Sequence, residues 1–391
     1  MPSAPRPKLA QVDPQPVTAE DGTELFTLRD PLGIARDGLG LSPAALWLAS
    51  RLDGSRTAAD VAALARAQGL EVAPARVAQL VEALRAAGYL EGPQREALRR
   101  RALAEFRAAG VRRPSCAGGV YPEERASLRA ALDGWLDVPR GPPPARPVSL
   151  LVAPHLDYGR GATGYAHAYG ALAATDADLF VVFGTAHASP PHLFTLTRLD
   201  HATPLGPVRT DGDVVEALAG ALGEAELFDD ELAHRDEHSV ELQLVLLAHL
   251  VPRPFTVVPV LCSTISHLAD PAAAAAPFLA ALARAVAGRR VCYVAGADLA
   301  HVGPMYGDPR TPTAAELAAL EEADRRTMAF VAAGDPEGFH RDAIRDDARR
   351  RLCGVAPIYA AMRASGARAS LLHYGRWTDG TDSVSYAAAA G

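Results

Sequence analysis

Three polar clusters stand directly after apolar runs in this sequence. His155 follows 149-SLLVAP-154, His187 follows 179-LFVVFGTA-186, and Asp298 with His301 follows 291-VCYVAGA-297. A fourth cluster, 234-HRDEHSVELQ-243, opens a helical stretch and sets His238 and Glu241 at i,i+3, a spacing at which two side chains on one helix face can meet. Neutral imidazole together with carboxylate suits a divalent transition metal, and two histidines plus one carboxylate with open positions is the arrangement of non-haem Fe(II) oxygen chemistry. A further histidine outside the coordination sphere can act as general acid or base near neutral pH, and His238 is the candidate. A lone histidine at a strand end is more often structural. Two at equivalent exits, joined by a third polar exit, favour a site built on His155 and His187. Asp298 reads equally well as a helix N-cap.

Such a site needs elements that bring distant residues together. From Arg112 onward, strand-like runs (SLLVA, DLFVVFG, LFTLTR, FTVVPVLC, VCYVAGA) alternate with helical segments at 211–222, 238–250, 271–287 and 315–333. Apolar strands without alternation are expected where helices cover both faces of a sheet, so the fold class is α/β, a layered α/β/α domain. In such sheets side chains converge in a crevice at the strand ends. Gly159, Gly161 and Gly164 are read as letting the backbone pass close to a ligand.

The front of the chain differs in texture. Residues 1–20 are proline-rich and read as a flexible N-terminus. Ser42 with Pro43, and Thr57, suit helix starts, and 77-VAQLVEALRAAGYLEG-92 has helical spacing that closes at Gly88 and runs into the short strand YLEG. Three helices and a small wing over 21–94 predict a winged helix-turn-helix. A charged helical connector, 95–110, leads to the α/β domain at 111–391. The third helix carries Arg76 and Arg85 against Glu82, too little positive charge for phosphate neutralisation, which favours a protein or peptide module over DNA binding.

The net charge of −7 across 391 residues argues against a broad nucleic-acid footprint. No apolar run approaches the roughly 20 residues needed to span a bilayer, and the start lacks the apolar stretch of a signal peptide, so the chain reads as cytoplasmic with no membrane partner. Cys116, Cys262, Cys292 and Cys353 form no CxxC pair, which indicates neither zinc knuckle nor disulfide framework. No GxSxG elbow is present, so serine hydrolysis is set aside. The spacing G-x-G-x-x-G at 159–164 lacks a clear second-strand acid and is a poor dinucleotide site.

The segments 111-VRRPSCAGGVYP-122, 153-APHLDYGRGATGYAHAY-169, 183-FGTAHA-188, 203-TPLGPVRTD-211, 236-DEHSVELQL-244, 296-GADLAH-301 and 353-CGVAPI-358 resemble, in order and local chemistry, the Memo family, whose fold is related to class III extradiol ring-cleaving dioxygenases. The resemblance implies that His155 and His187 are metal ligands and that His238 aligns with the extradiol acid/base. It places the third metal position on Ala300, which has no donor atom, so that Asp157, Asp298 or His301 would have to replace it or the site would be degenerate. Asp157 and Tyr158, in the place of the family's Gly-Tyr, are the candidate substrate-binding residues. The implied cofactor is a divalent metal, Fe(II) first and copper or zinc next. Bacterial relatives resemble protein B of the AmmeMemoRadiSam system, which implies a radical-SAM enzyme and an AMMECR1-like protein as partners. The front module resembles the PqqD-like peptide-binding units of such systems. The activity expected is a non-haem metal-dependent oxidoreductase acting on a small or peptidyl substrate. The alternative is a non-catalytic peptide- or protein-binding adaptor.

Overall fold

The computed structural model describes residues 5–19, 21–35, 39–142, 144–345 and 347–391. The chain divides into two units, Met1–Ala108 and Ala109–Gly391.

In the first unit the strands β1 (Asp13–Thr18), β2 (Glu24–Arg29) and β3 (Gly40–Leu41) form an antiparallel sheet in the order β1-β2-β3. The helices α1 (Pro43–Ala49), α2 (Ala58–Ala67), α3 (Pro74–Ala87) and α4 (Pro93–Ala108) follow. The cap signals act as read: the Ser42 hydroxyl accepts from the Ala45 N–H, Thr57 forms a reciprocal capping box with Asp60, and Gly88 ends α3 at φ 89°. Val61, Ala65, Val77, Val81 and Leu84 bury the facing sides of α2 and α3. Two features differ from expectation. Asp13–Thr18, inside the stretch read as flexible, pairs along its length with β2. The YLEG segment contributes one bridge, Leu90 to Leu9, rather than a strand.

The second unit runs β4 (Val111–Arg112), α5 (Arg125–Leu136), β5 (Leu150–Ala153), α6 (Tyr158–Gly170), β6 (Leu179–Thr185), β7 (Phe194–Leu196), β8 (Asp200–Thr203) and β9 (Gly206–Val208). It continues with α7 (Gly212–Leu222), α8 (Glu224–Phe228), α9 (His238–Leu250), β10 (Thr256–Cys262), α10 (Pro271–Ala285), β11 (Val291–Gly296) and β12 (Asp298–Val302). The remainder is α11 (Ala314–Ala333), α12 (Pro336–Arg345), α13 (Asp347–Arg350), α14 (Val355–Ser365), β13 (Ser370–Thr378) and β14 (Ser383–Ala390). The main sheet has the order β12-β14-β5-β11-β6-β10-β7, with β13 paired to β14. Its centre, β5, β11, β6 and β10, is parallel, and the strands added at each side are antiparallel. β4, β8 and β9 make a separate small sheet.

Leu179, Phe180, Val181, Val182 and Phe183 are all fully buried, which is why β6 reads as continuous hydrocarbon. α9 and α14 both pack on β6, β10 and β11, and α6 covers β5, β13 and β14. The domain is therefore the layered α/β architecture anticipated, and no helix among the described residues is long and apolar enough to cross a membrane.

One buried ion pair closes the first unit. Asp30 accepts from the backbone N–H groups of Leu32 (3.0 Å), Ile34 (3.1 Å) and Ala35 (2.8 Å), and from both terminal nitrogens of Arg95 (2.7 and 3.2 Å). Arg95, at the start of the charged helical connector, is buried. Burial alone would raise the Asp30 carboxyl, but Arg95 and the backbone donors outweigh it and hold it below the ordinary value of 3.8. A depressed folded-state value means that the stabilisation is full above the unfolded value and is lost as pH falls through the folded one. Asp30→Ala leaves the guanidinium buried without its partner and is expected to destabilise the first unit by about 3 kcal/mol. Hydrogen exchange over residues 5–108 of the intact chain measures it, and the wild type should lose stability as pH falls below about 4 through the lowered Asp30 value, a dependence the variant lacks.

Candidate metal centre

Register decides which residues can meet. Ala153 of β5 pairs with Gly296 of β11, and Gly296 pairs with Gly184 of β6, so these three residues lie in one row across adjacent parallel strands. His155 stands two residues beyond the row on the first strand, Asp298 two beyond on the second, and His187 three beyond on the third. The polar groups therefore emerge at one level of the sheet's carboxyl edge.

The N-terminus of α9 drops onto that edge. Ser239 donates its hydroxyl to the Thr185 carbonyl (2.9 Å) and Gln243 donates its amide to the Pro154 carbonyl (2.9 Å), tying the helix to the ends of β6 and β5. Gly296 makes the approach feasible, since a β-carbon there would stand 2.5 Å from the Ser239 carbonyl oxygen. His238, first residue of α9, is thereby delivered to the cluster. The ring centroids of His155 and His187 are 5.1 Å apart, those of His155 and His238 5.3 Å, and His187 stacks on His238 at 4.7 Å.

The fourth member is Cys353, in the turn before α14. Its Sγ lies 3.3 Å from His155 Nε2. Gly354 brings the turn in, because a β-carbon at that position would be 2.4 Å from the Asp298 carbonyl oxygen. The Gly354 N–H donates to that same oxygen (3.1 Å), and the Thr185 hydroxyl donates to the Cys353 carbonyl (3.1 Å).

Hydrogen bonds fix the imidazole tautomers. His155 Nδ1 donates to the Gly296 carbonyl (2.9 Å), an oxygen that can only accept, so its Nε2 carries the lone pair. His187 Nδ1 donates to Glu237 (2.9 Å), and the same carboxylate takes the His187 N–H (2.9 Å) and the Ser239 N–H (3.0 Å), with His238 Nδ1 at 3.3 Å. Burial would raise the Glu237 carboxyl, but the flanking imidazoles, His187 first, hold it well below the usual range. His155 and His187 thus each have the kind of outer partner that orients metal-binding imidazoles and leaves Nε2 free to ligate.

Donor atoms of His155, His187 and Cys353 lie within 4.8 Å of one another. Two imidazoles and a thiol are a donor set for iron, copper or zinc. Burial pushes the Cys353 thiol well above its ordinary value, so a metal held there displaces a proton. Two further groups overlap this one, His187–Glu237–His238 and Asp298–His301–Cys353. In the first of these, Glu237 is already committed to two backbone N–H groups and His187, which favours it as an outer partner. Asp298 accepts the His155 N–H (3.0 Å) and is raised to about 7 by burial, and its carboxylate is 3.5 Å from His155 Nε2. Burial lowers His301 to about 4, and its Nδ1 donates to the Leu299 carbonyl (3.1 Å).

Several expectations are corrected. Asp298 lies on β12, with its carboxylate turned to the His155 backbone, and caps no helix. Ala300 is wholly buried in the main core, and Cys353, which the sequence reading did not single out, is the third potential donor beside His155 and His187. The Glu241 carboxylate is occupied by the Arg112 guanidinium, the Ser115 and Cys116 N–H groups and the Tyr121 hydroxyl, and it anchors the loop after β4. Glu237, not Glu241, is the carboxylate beside His238. Tyr158 is buried and donates to the Leu242 carbonyl (2.6 Å), inside the packing between α6 and α9. Asp157 is partly exposed and paired with Arg160 (3.0 Å). Gly159, Gly161 and Gly164 fall within α6, where Gly164 abuts the Tyr386 ring and Pro154.

A layered α/β protein with imidazole and thiol donors gathered where adjacent parallel strands end is the class this geometry defines. The Memo-like protein family model matches residues 112–390. The chain is 33% identical over 273 residues to a MEMO1 family protein of Thermus thermophilus, an overlap covering 69% of this chain and 78% of that protein. It is 30% identical over 291 residues to a MEMO1 family protein of Methanococcoides burtonii (71% and 98% covered), and 27% identical over 309 residues to one of Aquifex aeolicus (78% and 78%). The chain belongs to the Memo family.

Two substitutions test the geometry. Ala300→Cys is expected to leave metal affinity unchanged, because residue 300 faces the core, while overpacking costs about 1–3 kcal/mol of stability. Glu237→Gln is expected to weaken metal affinity about 10- to 100-fold by loosening His187. Chelator competition on the purified variants measures both.

Proposed function

We propose that this chain is a metal-dependent oxidoreductase of the non-haem kind, acting on a small or peptidyl substrate, with His155, His187 and Cys353 as ligands. The observation that carries the reading is the convergence of those three donors with both imidazole tautomers set by outer acceptors. Bound there, iron(II) or copper supplies a redox couple and a Lewis acid, and zinc supplies the Lewis acid alone.

The remaining roles fall to the chain's own groups. His238 is half-exposed and stacked on His187, so its ring borders both the ligands and the opening of the site. With Nδ1 directed at Glu237, its Nε2 is the atom that takes a proton from a bound substrate and returns it. Glu237 stabilises the imidazolium formed in between. Asp298 and His301 line the other side of Cys353 as further donors or acceptors for substrate.

The alternative of a non-catalytic adaptor with a degenerate metal site drew its force from Ala300, and it loses that argument once Cys353 is counted. The partners proposed are a radical-SAM enzyme and an AMMECR1-like protein, with the first unit as a peptide- or protein-docking module. Support for them is the family resemblance and the weak positive charge of α3.

Metal analysis of the purified protein tests the centre. His155→Ala, His187→Ala and Cys353→Ser are each expected to lose most bound metal, and His238→Ala to retain it. Undiminished metal in the His155→Ala/His187→Ala double variant would reject the assignment.

A further inference from the structure

The turn that presents Cys353 carries an unusual backbone. Arg351 has φ +50°, in the left-handed region that side-chain-bearing residues rarely adopt. Such a conformation costs on the order of 1–3 kcal/mol and persists where its surroundings over-determine it. The surroundings here are specific. One terminal nitrogen of Arg351 donates to the His301 carbonyl (3.2 Å) and to the Arg349 carbonyl (3.2 Å), and the other donates to Asp308 (2.6 Å). Asp308 in turn takes the Gly303 N–H (2.7 Å). A single guanidinium therefore joins the residue two before Cys353 to β12 and to the loop that follows it.

The turn is fixed on both sides of this grip. Arg350 is buried and donates to Asp324 (3.1 Å) and Thr327 (3.0 Å), while Gly354 is bonded to the Asp298 carbonyl. Between these anchors only Arg351 and Leu352 separate the end of α13 from the thiol. Without the guanidinium, nothing but residual packing would oblige residue 351 to stay left-handed. Relaxation there would turn Cys353 away from His155 Nε2.

We propose that Arg351 is a positioning residue for the metal centre: its fork to His301 and Asp308 holds a left-handed turn that aims the Cys353 thiol at His155 and His187. This rests on the metal-site reading above. The strain is not confined to this turn. Among the described residues, Ser189, two beyond His187, is the other non-glycine residue at positive φ (+46°), so both left-handed positions flank proposed ligands.

The test is Co(II) binding by the full chain, read as affinity and as the thiolate-to-cobalt charge-transfer band. Arg351→Gly should melt close to the wild type, because glycine takes the left-handed conformation freely. It should nevertheless bind Co(II) about 10- to 100-fold more weakly, with a diminished band. Arg351→Lys should recover part of the affinity, since an ammonium reaches Asp308 but cannot fork to the His301 carbonyl as well. Wild-type affinity and a full band in Arg351→Gly would overturn the proposal. Should that variant fail to fold, Asp308→Asn removes the charge partner with residue 351 intact, and wild-type affinity there would overturn it equally. A wild-type chain that takes no Co(II), or a band that survives in Cys353→Ser, would bring down the metal-site reading itself and the positioning role with it.

Discussion

Ala153, Gly296 and Gly184 share one row of a parallel sheet, and the candidate centre depends on that row. A parallel register is set by hydrogen bonds along the strands, and a slip of one residue would turn every side chain on the slipped strand to the opposite face. The register here is held by strands buried on both faces, with Leu150, Val152, Val181, Phe183 and Ala295 all in one core. The His155, His187 and Asp298 positions are therefore consequences of core packing a few residues earlier on each strand. Loops, the start of α9 and β12 carry the polar groups, and the sheet sets their height.

That division explains what the sequence disclosed. His155, His187 and His238 were legible because each follows a local pattern, an apolar run or the opening of an amphipathic stretch, that ends where the element ends. The layered α/β class was legible for the same reason. Glu237 and Cys353 were not, since neither lies at a strand exit. Glu237 caps α9 through the Ser239 N–H, and its second duty, orienting His187 fifty residues earlier, exists only in three dimensions. Cys353 reaches the centre because Gly354 fits against Asp298, a contact that no periodicity announces. Glu241 was misjudged for the converse reason. The i,i+3 spacing to His238 is real, but Arg112 arrives from 129 residues away and claims the carboxylate. β14 escaped notice because SVSYAAAA has weak strand propensity; it is a strand because small side chains fit a position buried along its whole length.

The electrostatics of the cluster follow from its burial. Desolvation drives His155 well below its ordinary value, and the neighbouring rings of His187 and His238 add repulsion between like charges. Three imidazoles this close cannot all be protonated, and the thiol beside them is held in its neutral form. The centre at neutral pH is thus a concentration of lone pairs with the Glu237 carboxylate behind it and Asp298, raised to about 7, partly ionised beside it. Such an arrangement is poor at holding anions and well matched to a cation, which would gain three donors whose orientation has already been set.

Orientation of that kind carries a conformational cost that the rest of the domain must absorb. Ser189 and Arg351 occupy left-handed conformations, each worth on the order of 1–3 kcal/mol against folding. Neither lies in the sheet. Each sits in a loop whose flanking elements are locked independently: β6 and β7, both paired to β10, for the first, the buried Arg350–Asp324 pair and α14 for the second. A loop pinned at both ends by a close-packed layer has little room to relax, and at residue 351 the bonds of the guanidinium to His301 and Asp308 hold what freedom is left, so the strain is retained beside the proposed ligands. The same coupling accounts for the small residues around the centre, because backbone can approach backbone there only where β-carbons are missing, as at Gly296 and Gly354. Rigidity in the core and close approach at its edge are two results of one packing arrangement.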